Sequence, residues 1–458
     1  MGTMTPDEFR AAGHELIDWI AEYHERVGEL PVLSQVEPGD VRRRLAAHPP
    51  TAPESFAAIM ADVNGPILDG LTHWQSPNFY AFFPANAALS SVLGDLLSSG
   101  LGVNGFSWAT SPAVTELETL MLDWMVELLD LPGHFVGNGV IQDSASSATL
   151  CAILAARTRA AAPLDRLVAY CTAQSHSSVE KGLRVAGVAV EQLHVIAHDE
   201  DFAMRPDALA LAIEADVAAG LVPFFLCANA GSTSSEAFDP VVSLAPICAA
   251  AGVWLHVDGA MCGVAALCPE LRWVNDGLEL VDSYSTNGHK WMGVGFDCSF
   301  FWVRDRTPLL AALSILPEYL RTAQAEAGAV IDYRDWQVPL GRRFRSLKVW
   351  FLLRLDGVDS IAAMIRNHIE WAAEFESWVR ADERFEVVAP RSMNLVCLAH
   401  RDGDEVTKAL VEAVNASGRA QVTPTVLDGR YALRFCVGSH LTERHHVEAA
   451  WQLISDLA

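Results

Sequence analysis

Between residues 86 and 356, helix-patterned stretches alternate with short apolar runs, and this rhythm restricts the possible folds more than any other feature of the chain. Helical spacing covers 87–99, 113–129 and 146–160, while apolar runs cover 167–171, 223–228, 253–257 and 298–303. Such short apolar runs suit strands buried on both faces. Strands alternating with helices predict an α/β domain on a mostly parallel sheet, because parallel neighbours need a crossover and a helix supplies it. On either side the rhythm changes. Residues 6–30 place Phe9, Leu16, Ile17, Ile20 and Tyr23 on one helical stripe, and Pro31, Pro38, Pro49, Pro50 and Pro53 follow. Residues 1–85 therefore read as a helical arm that packs on another subunit. From 357 a helix over 360–382 precedes strand-like runs at 384–388, 394–398 and 431–437 and a last helix, which predicts a small α+β domain. The expected division is 1–85, 86–356 and 357–458.

In parallel sheets, ligands bind beyond the C-terminal ends of the strands. The apolar run at 253–257 ends in Asp258, and the turn Asn287-Gly288-His289 presents Lys290 further on. A lysine beside a histidine, downstream of a strand-end aspartate, is the layout that pyridoxal phosphate needs. The amine forms a Schiff base with the cofactor aldehyde, and the carboxylate pairs with the protonated ring nitrogen, keeping the ring an electron sink. Taken singly, each has a plainer reading, as a surface lysine and a turn or capping aspartate. Three other places add to the pattern. Ser144, Ala145, Ser146 and Ser147 open an Ala-rich helix whose first N–H groups can hold a phosphate, although ordinary capping reads equally well. Asp143 would repel a phosphate unless it points away or caps the helix. His176 follows the 167–171 run, and its flat ring can stack on a pyridine ring or simply cap the next helix. Thr233 follows the 223–228 run, as a turn residue or a hydrogen-bonding neighbour of the cofactor.

Composition excludes other classes. A formal net charge of −25 argues against nucleic-acid phosphates and gives no support for anionic membrane surfaces. Nine scattered cysteines form no Cys-x-x-Cys pair, which predicts free buried thiols and a cytoplasmic protein. The first residues lack a basic stretch followed by an apolar one, and no uncharged run reaches membrane-spanning length. Fifteen histidines show no His-Glu-x-x-His or comparable spacing, so no metal is expected.

Seven blocks carry a resemblance: Thr72-His-Trp-Gln-Ser-Pro-Asn-Phe-Tyr-Ala-Phe-Phe-Pro84, Gly105-Phe-Ser-Trp108, Ser111-Pro-Ala-Val-Thr-Glu-Leu-Glu118, Ser175-His-Ser-Ser-Val-Glu180, His256-Val-Asp-Gly-Ala260, Asn287-Gly-His-Lys-Trp291 and Pro339-Leu-Gly-Arg-Arg-Phe-Arg-Ser-Leu-Lys348. In one order, from about residue 5 to 458, the chain resembles the aromatic L-amino acid decarboxylases, the group II pyridoxal-phosphate-dependent decarboxylases. The resemblance implies fold type I, aspartate aminotransferase-like, and a homodimer with active sites at the interface. It implies that Lys290 forms the Schiff base, Asp258 holds the pyridine nitrogen and His176 stacks on the ring. Ala145, Ser146, Asn287 and His289 would bind the phosphate, with Thr233 and Ala260 beside the ring. Tyr319, on a lid-like loop, would bring a proton to the substrate carbon after carbon dioxide leaves, with His176 as the other candidate donor.

The same resemblance places Trp74, Phe79, Phe82, Phe83, Pro84, Asn104, Phe106 and Gly341 around an aromatic amino acid substrate. Histidine decarboxylases that resemble the chain carry serine where Gly341 stands, so glycine leaves room for a catechol or indole. Phe82 and Ala85 replace two hydroxyl residues of animal members, and Asn104 replaces an aliphatic one. Tryptophan or unsubstituted rings are therefore expected to do at least as well as L-DOPA. The expected reaction is decarboxylation of tryptophan, tyrosine, L-DOPA or phenylalanine to the amine for amine biosynthesis. The alternatives are an oxygen-consuming aldehyde synthase, against which His176 and Tyr319 argue, and a silent binding protein of the same fold.

Overall fold

The computed structural model describes residues 4–315, 324 and 328–458. Contacts divide the chain into two compact units. One comprises Ala85–Ala373 with Val388–Cys397, and the other Met1–Pro84 with Glu374–Val387 and Leu398–Ala458.

The first unit is built on a seven-stranded sheet: β1 (Gly139–Gln142), β2 (Leu167–Thr172), β3 (Leu193–Ile196), β4 (Val222–Asn229), β5 (Trp254–Asp258), β6 (Ser283–Asn287) and β7 (Ser299–Val303). Their order is β1-β7-β6-β5-β4-β2-β3. The run from β6 through β5, β4 and β2 to β3 is parallel, while β7 is antiparallel to both β6 and β1. The mostly parallel α/β expectation holds. Every residue of β2, β5, β6 and β7 is buried, because helices cover both faces. Helices Ala145–Ala160, Pro206–Ala218 and Val241–Ala251 pack against it. Four of these strand ends, β2, β4, β5 and β6, open on the same edge, and the strand order reverses between β2 and β4.

An ion pair deep in this unit fixes one wall. Glu118, on helix Pro112–Leu128, and Arg342 are both fully buried and bonded to each other. Glu118 Oε1 also accepts the Ile141 N–H at 2.9 Å, and Arg342 donates to Gln337 Oε1 at 2.6 Å and to the Ile141 carbonyl at 3.2 Å. The helix, β1 and the segment before Gly341 are thereby tied together. Removing either partner strands a buried charge, at a cost of about 3–5 kcal/mol. Nearby, helix Leu89–Leu101 approaches helix Arg345–Leu355 so closely that a Cβ on Gly94 would lie 2.6 Å from Lys348 Cα.

In the second unit, a four-stranded sheet has the order β10-β11-β9-β8, with β8 (Phe385–Val387), β9 (Leu395–His400), β10 (Thr423–Leu427) and β11 (Arg430–Cys436). β8 pairs antiparallel with β9, and β10 with β11. Helix Pro6–Arg26 begins at a Thr5–Glu8 capping box and buries none of its residues.

Candidate active site

The C-terminal edge of the large sheet gathers the titratable groups. Asp258 ends β5 and is 7% exposed. Its Oδ1 accepts the Ala260 N–H at 3.0 Å, which turns the chain sharply and sets Ala260 beside the carboxylate. Asn287 ends β6, and its N–H donates to the Ala260 carbonyl at 3.2 Å, so the two strand ends are coupled. A tight turn follows, in which Lys290 N–H reaches the Asn287 carbonyl at 3.4 Å. Asn86 clamps this turn: its N–H donates to the His289 carbonyl at 3.1 Å and its side-chain amide to the Lys290 carbonyl at 2.7 Å. Lys290 itself is half-buried.

His289 has a defined protonation state. Its Nδ1 accepts the Cys298 N–H at 2.9 Å, so the ring proton sits on Nε2. Burial, and then the neighbouring Lys290 charge, push its pKa down to about 3. It is therefore a neutral donor through Nε2 across the working pH range.

His176, four residues beyond Thr172 at the end of β2, is fixed by Ser178. The Ser178 N–H donates to His176 Nδ1 at 3.1 Å, and the Ser178 hydroxyl lies 2.9 Å from the same atom. The His176 pKa is lowered, by desolvation first; the Asp258 charge opposes the shift and the Lys290 charge adds to it. His176, Asp258 and Lys290 thus lie within one electrostatic neighbourhood.

The helix Ala145–Ala160 starts at the β1 end. Ser144 is its N-cap, accepting the Ser147 N–H at 3.2 Å, and the Ala148 N–H bonds the Ser144 carbonyl at 3.1 Å. The N–H groups of Ala145 and Ser146 have no partner within the helix. The cap is Ser144 and not Asp143, whose Oδ1 takes the Ser144 hydroxyl at 3.1 Å. Thr233 sits half-buried in the loop after β4. That loop is held by Glu236, a buried carboxylate in left-handed backbone (φ 62°) that accepts the N–H groups of Met393, Asn394 and Leu395 at 2.7, 3.2 and 3.2 Å. No periodicity flags Glu236, Asn86 or Ser178; each is legible only once the chain is folded.

The expected aromatic wall falls into separate groups. In the smaller unit, Trp74 stacks on Phe82 at 5.6 Å between centroids, and both are exposed. Phe82 has φ 53°, and its N–H and carbonyl are held by Thr423 and Arg434. Phe83 and Pro84 are buried, Phe83 under the Arg434 guanidinium at 5.3 Å. Phe79 corrects the sequence expectation. It is fully buried in a core with Val32 and Ala81, so it packs and cannot face a substrate. In the larger unit, Phe106 is half-buried, while Asn104 and Gly341 are exposed neighbours. Tyr319 lies outside the described residues.

These groups fit pyridoxal phosphate. Two uncommitted helix N–H groups and the His289 Nε2–H are donors for a phosphate, and the Asn287 side-chain NH2 can add another, its backbone N–H being taken by the Ala260 carbonyl. A strand-end carboxylate and a lysine complete the set. Among the described residues, no group of three or more His, Cys, Asp or Glu could hold a metal ion, and all nine cysteines are buried outside any disulfide.

Comparison with known proteins agrees with this chemistry. Residues 38–401 match the pyridoxal-dependent decarboxylase conserved domain. The chain is 44% identical to an Arabidopsis thaliana phenylacetaldehyde synthase, over 99% of the chain and 96% of that protein. It is also 44% identical to the Mus musculus aromatic-L-amino-acid decarboxylase, over 99% of the chain and 98% of that protein. The crystal structure of Oryza sativa TDC with PLP and tryptamine superposes with a TM-score of 0.97 at 40% identity, covering 100% of this chain and 99% of the other.

Proposed function

The chain belongs to the pyridoxal-dependent decarboxylase family, and on that footing we propose that it decarboxylates aromatic L-amino acids to arylalkylamines and carbon dioxide. The observation that carries this reading is the meeting of Asp258, Lys290 and His176 at the ends of β5, β6 and β2. Bound pyridoxal phosphate supplies an electron sink for the bond to the departing carboxylate. Lys290 would be its covalent anchor. Asp258 would keep the ring nitrogen protonated, and His176 would stack on the ring. Ala145, Ser146, Asn287 and His289 would hold the phosphate through N–H donors, with Thr233 and Ala260 beside the ring. Asn104, Phe106 and Gly341, all in the larger unit, would receive the aromatic side chain. Tyr319 or His176 would supply the proton that replaces carbon dioxide.

A second reading has a specific observation behind it, since a phenylacetaldehyde synthase is 44% identical to the chain. The two differ in products. Aerobic turnover of tryptophan, tyrosine, L-DOPA and phenylalanine with added cofactor is expected to give amine matching carbon dioxide, without peroxide. Aldehyde with ammonia and hydrogen peroxide would assign the chain to the synthase class.

We further infer a homodimer. Helix Leu89–Leu101 is reversed relative to an ordinary surface helix: Ser90, Ser91, Gly94 and Ser98 are its buried residues, whereas Leu89, Leu93, Leu96, Leu97 and Leu101 are 44–53% exposed. Each leucine buried at an interface contributes about 1.5–3 kcal/mol. Replacing Leu93 and Leu97 together by Glu is expected to weaken self-association about a hundredfold or more. Sedimentation should then show monomer where the parent is a dimer; unchanged assembly would move the interface elsewhere. No described helix is long and apolar enough to cross a membrane, and with a net charge of −25 this supports a cytoplasmic enzyme acting on small amino acids, away from nucleic acid and lipid.

A further inference from the structure

We propose that Asn104 is a specificity-determining residue that selects substrates with an oxygen on the ring, by presenting a fixed hydrogen-bond donor beside Gly341. The inference rests on the proposed decarboxylation and on the pocket assignment of this segment. Asn104 Oδ1 accepts the Arg342 N–H at 2.9 Å. A backbone N–H can only donate, so the amide orientation follows: oxygen faces Arg342, and the NH2 end is left over. Three other contacts keep Asn104 from turning. The Gly105 N–H donates to the Arg342 carbonyl at 3.1 Å, making a two-bond ladder between 104–105 and 342. The Asn104 carbonyl accepts the Thr110 hydroxyl at 3.1 Å. Arg342 is itself immobilised by the buried Glu118 pair.

The NH2 end has no hydrogen bond among the described residues, and Asn104 is exposed. A Cβ built on Gly341 would stand 3.6 Å from Asn104 Nδ2, the nearer end of the amide, and 3.9 Å from Oδ1, which the Arg342 N–H already engages. Glycine therefore leaves open the space in front of a polarised N–H pair. Asn104 also follows by three residues the helix whose leucines face outward, so it belongs to the surface proposed to meet a second copy of the chain.

The directional chemistry separates the ring types. A phenolic oxygen can accept from Nδ2. An indole nitrogen carries a hydrogen and offers no lone pair in the ring plane, and a plain phenyl ring offers nothing. Hydroxylated rings should therefore exceed phenylalanine and tryptophan. This reverses the order expected from Phe82 and Ala85, where lost hydroxyls argued for tryptophan and unsubstituted rings.

The test measures kcat/KM for tyrosine, phenylalanine and tryptophan in the parent, Asn104→Leu and Asn104→Asp. Aspartate keeps an acceptor for the Arg342 N–H and exchanges the free donor for an acceptor. In Asn104→Leu the tyrosine-to-phenylalanine ratio is expected to fall about five- to tenfold, the worth of one neutral hydrogen bond, whereas in Asn104→Asp it should hold because the phenolic O–H donates to the carboxylate. In Asn104→Asp the tryptophan-to-phenylalanine ratio should rise. Ratios unchanged in both variants would overturn the assignment while leaving decarboxylation intact. A parent that decarboxylates none of the three would overturn the proposed function and the inference with it. Calorimetry on the parent holoenzyme covers variants that do not fold. Here 3-(4-hydroxyphenyl)propanoate, which has no amine to react, should bind at least about fivefold tighter than 3-phenylpropanoate. Equal affinities would refute the donor role.

Discussion

Lys290→Ala is expected to lower turnover on the order of 10⁴-fold or more while leaving a folded protein. Lys290 is half-buried, its backbone is clamped by Asn86 and Asn287, and its charge reaches both His176 and His289. Truncation to alanine keeps the turn, since the clamping bonds use main-chain atoms, but removes the amine proposed to anchor the cofactor. It also removes a charge that lowers the pKa of both histidines, so the acidic limb attributable to His176 should move to higher pH in any residual activity. Steady-state rates together with circular dichroism check this. A variant that keeps a tenth of the parent activity would end the covalent assignment.

Asp258→Asn is the second large effect, expected to cost on the order of 10³-fold in kcat. Asparagine retains an oxygen for the Ala260 N–H, so the β5 turn should survive. What disappears is the buried negative charge that favours a protonated ring nitrogen. The pH profile separates this from a packing defect. Asp258 raises the His176 pKa, so removing its charge should shift the His176 limb to lower pH, opposite in sign to the Lys290 variant. A variant with reduced rate but an unshifted limb would mean that Asp258 acts only by shaping the turn.

Much of this site was readable in the sequence because it is a strand-end site. Asp258 ends a short apolar strand, Asn287 ends a short polar one with Lys290 three residues on, and the parallel-sheet rule says where such ends point. His176 and Thr233 were found in the same way. The supports were not readable. Glu118 and Arg342 are 224 residues apart, and Asn86 and Lys290 204 apart, so only the fold brings them together. β1 and β3 are four residues each, too short for a periodic signal, and β3 is partly open to solvent. The reversed direction of β7 leaves no mark in hydrophobicity. Phe79 misled for a physical reason: an aromatic block alternates between wall and core, and at Phe79 the core took the ring. Residue type showed that Asn104 is polar; only the Arg342 N–H shows which end of the amide is free.

Borohydride reduction of the cofactor-loaded protein, followed by peptide mapping, tests the central claim most directly. The chain has only four lysines, Lys181, Lys290, Lys348 and Lys408, so the assignment is unambiguous. Lys181 and Lys408 are exposed and Lys348 is buried near Asp95 and Asp297. One pyridoxyl group per chain is expected, on the peptide carrying Lys290, with loss of the visible absorbance. A label on one of the other three lysines, or no label from a fully loaded protein, would contradict it.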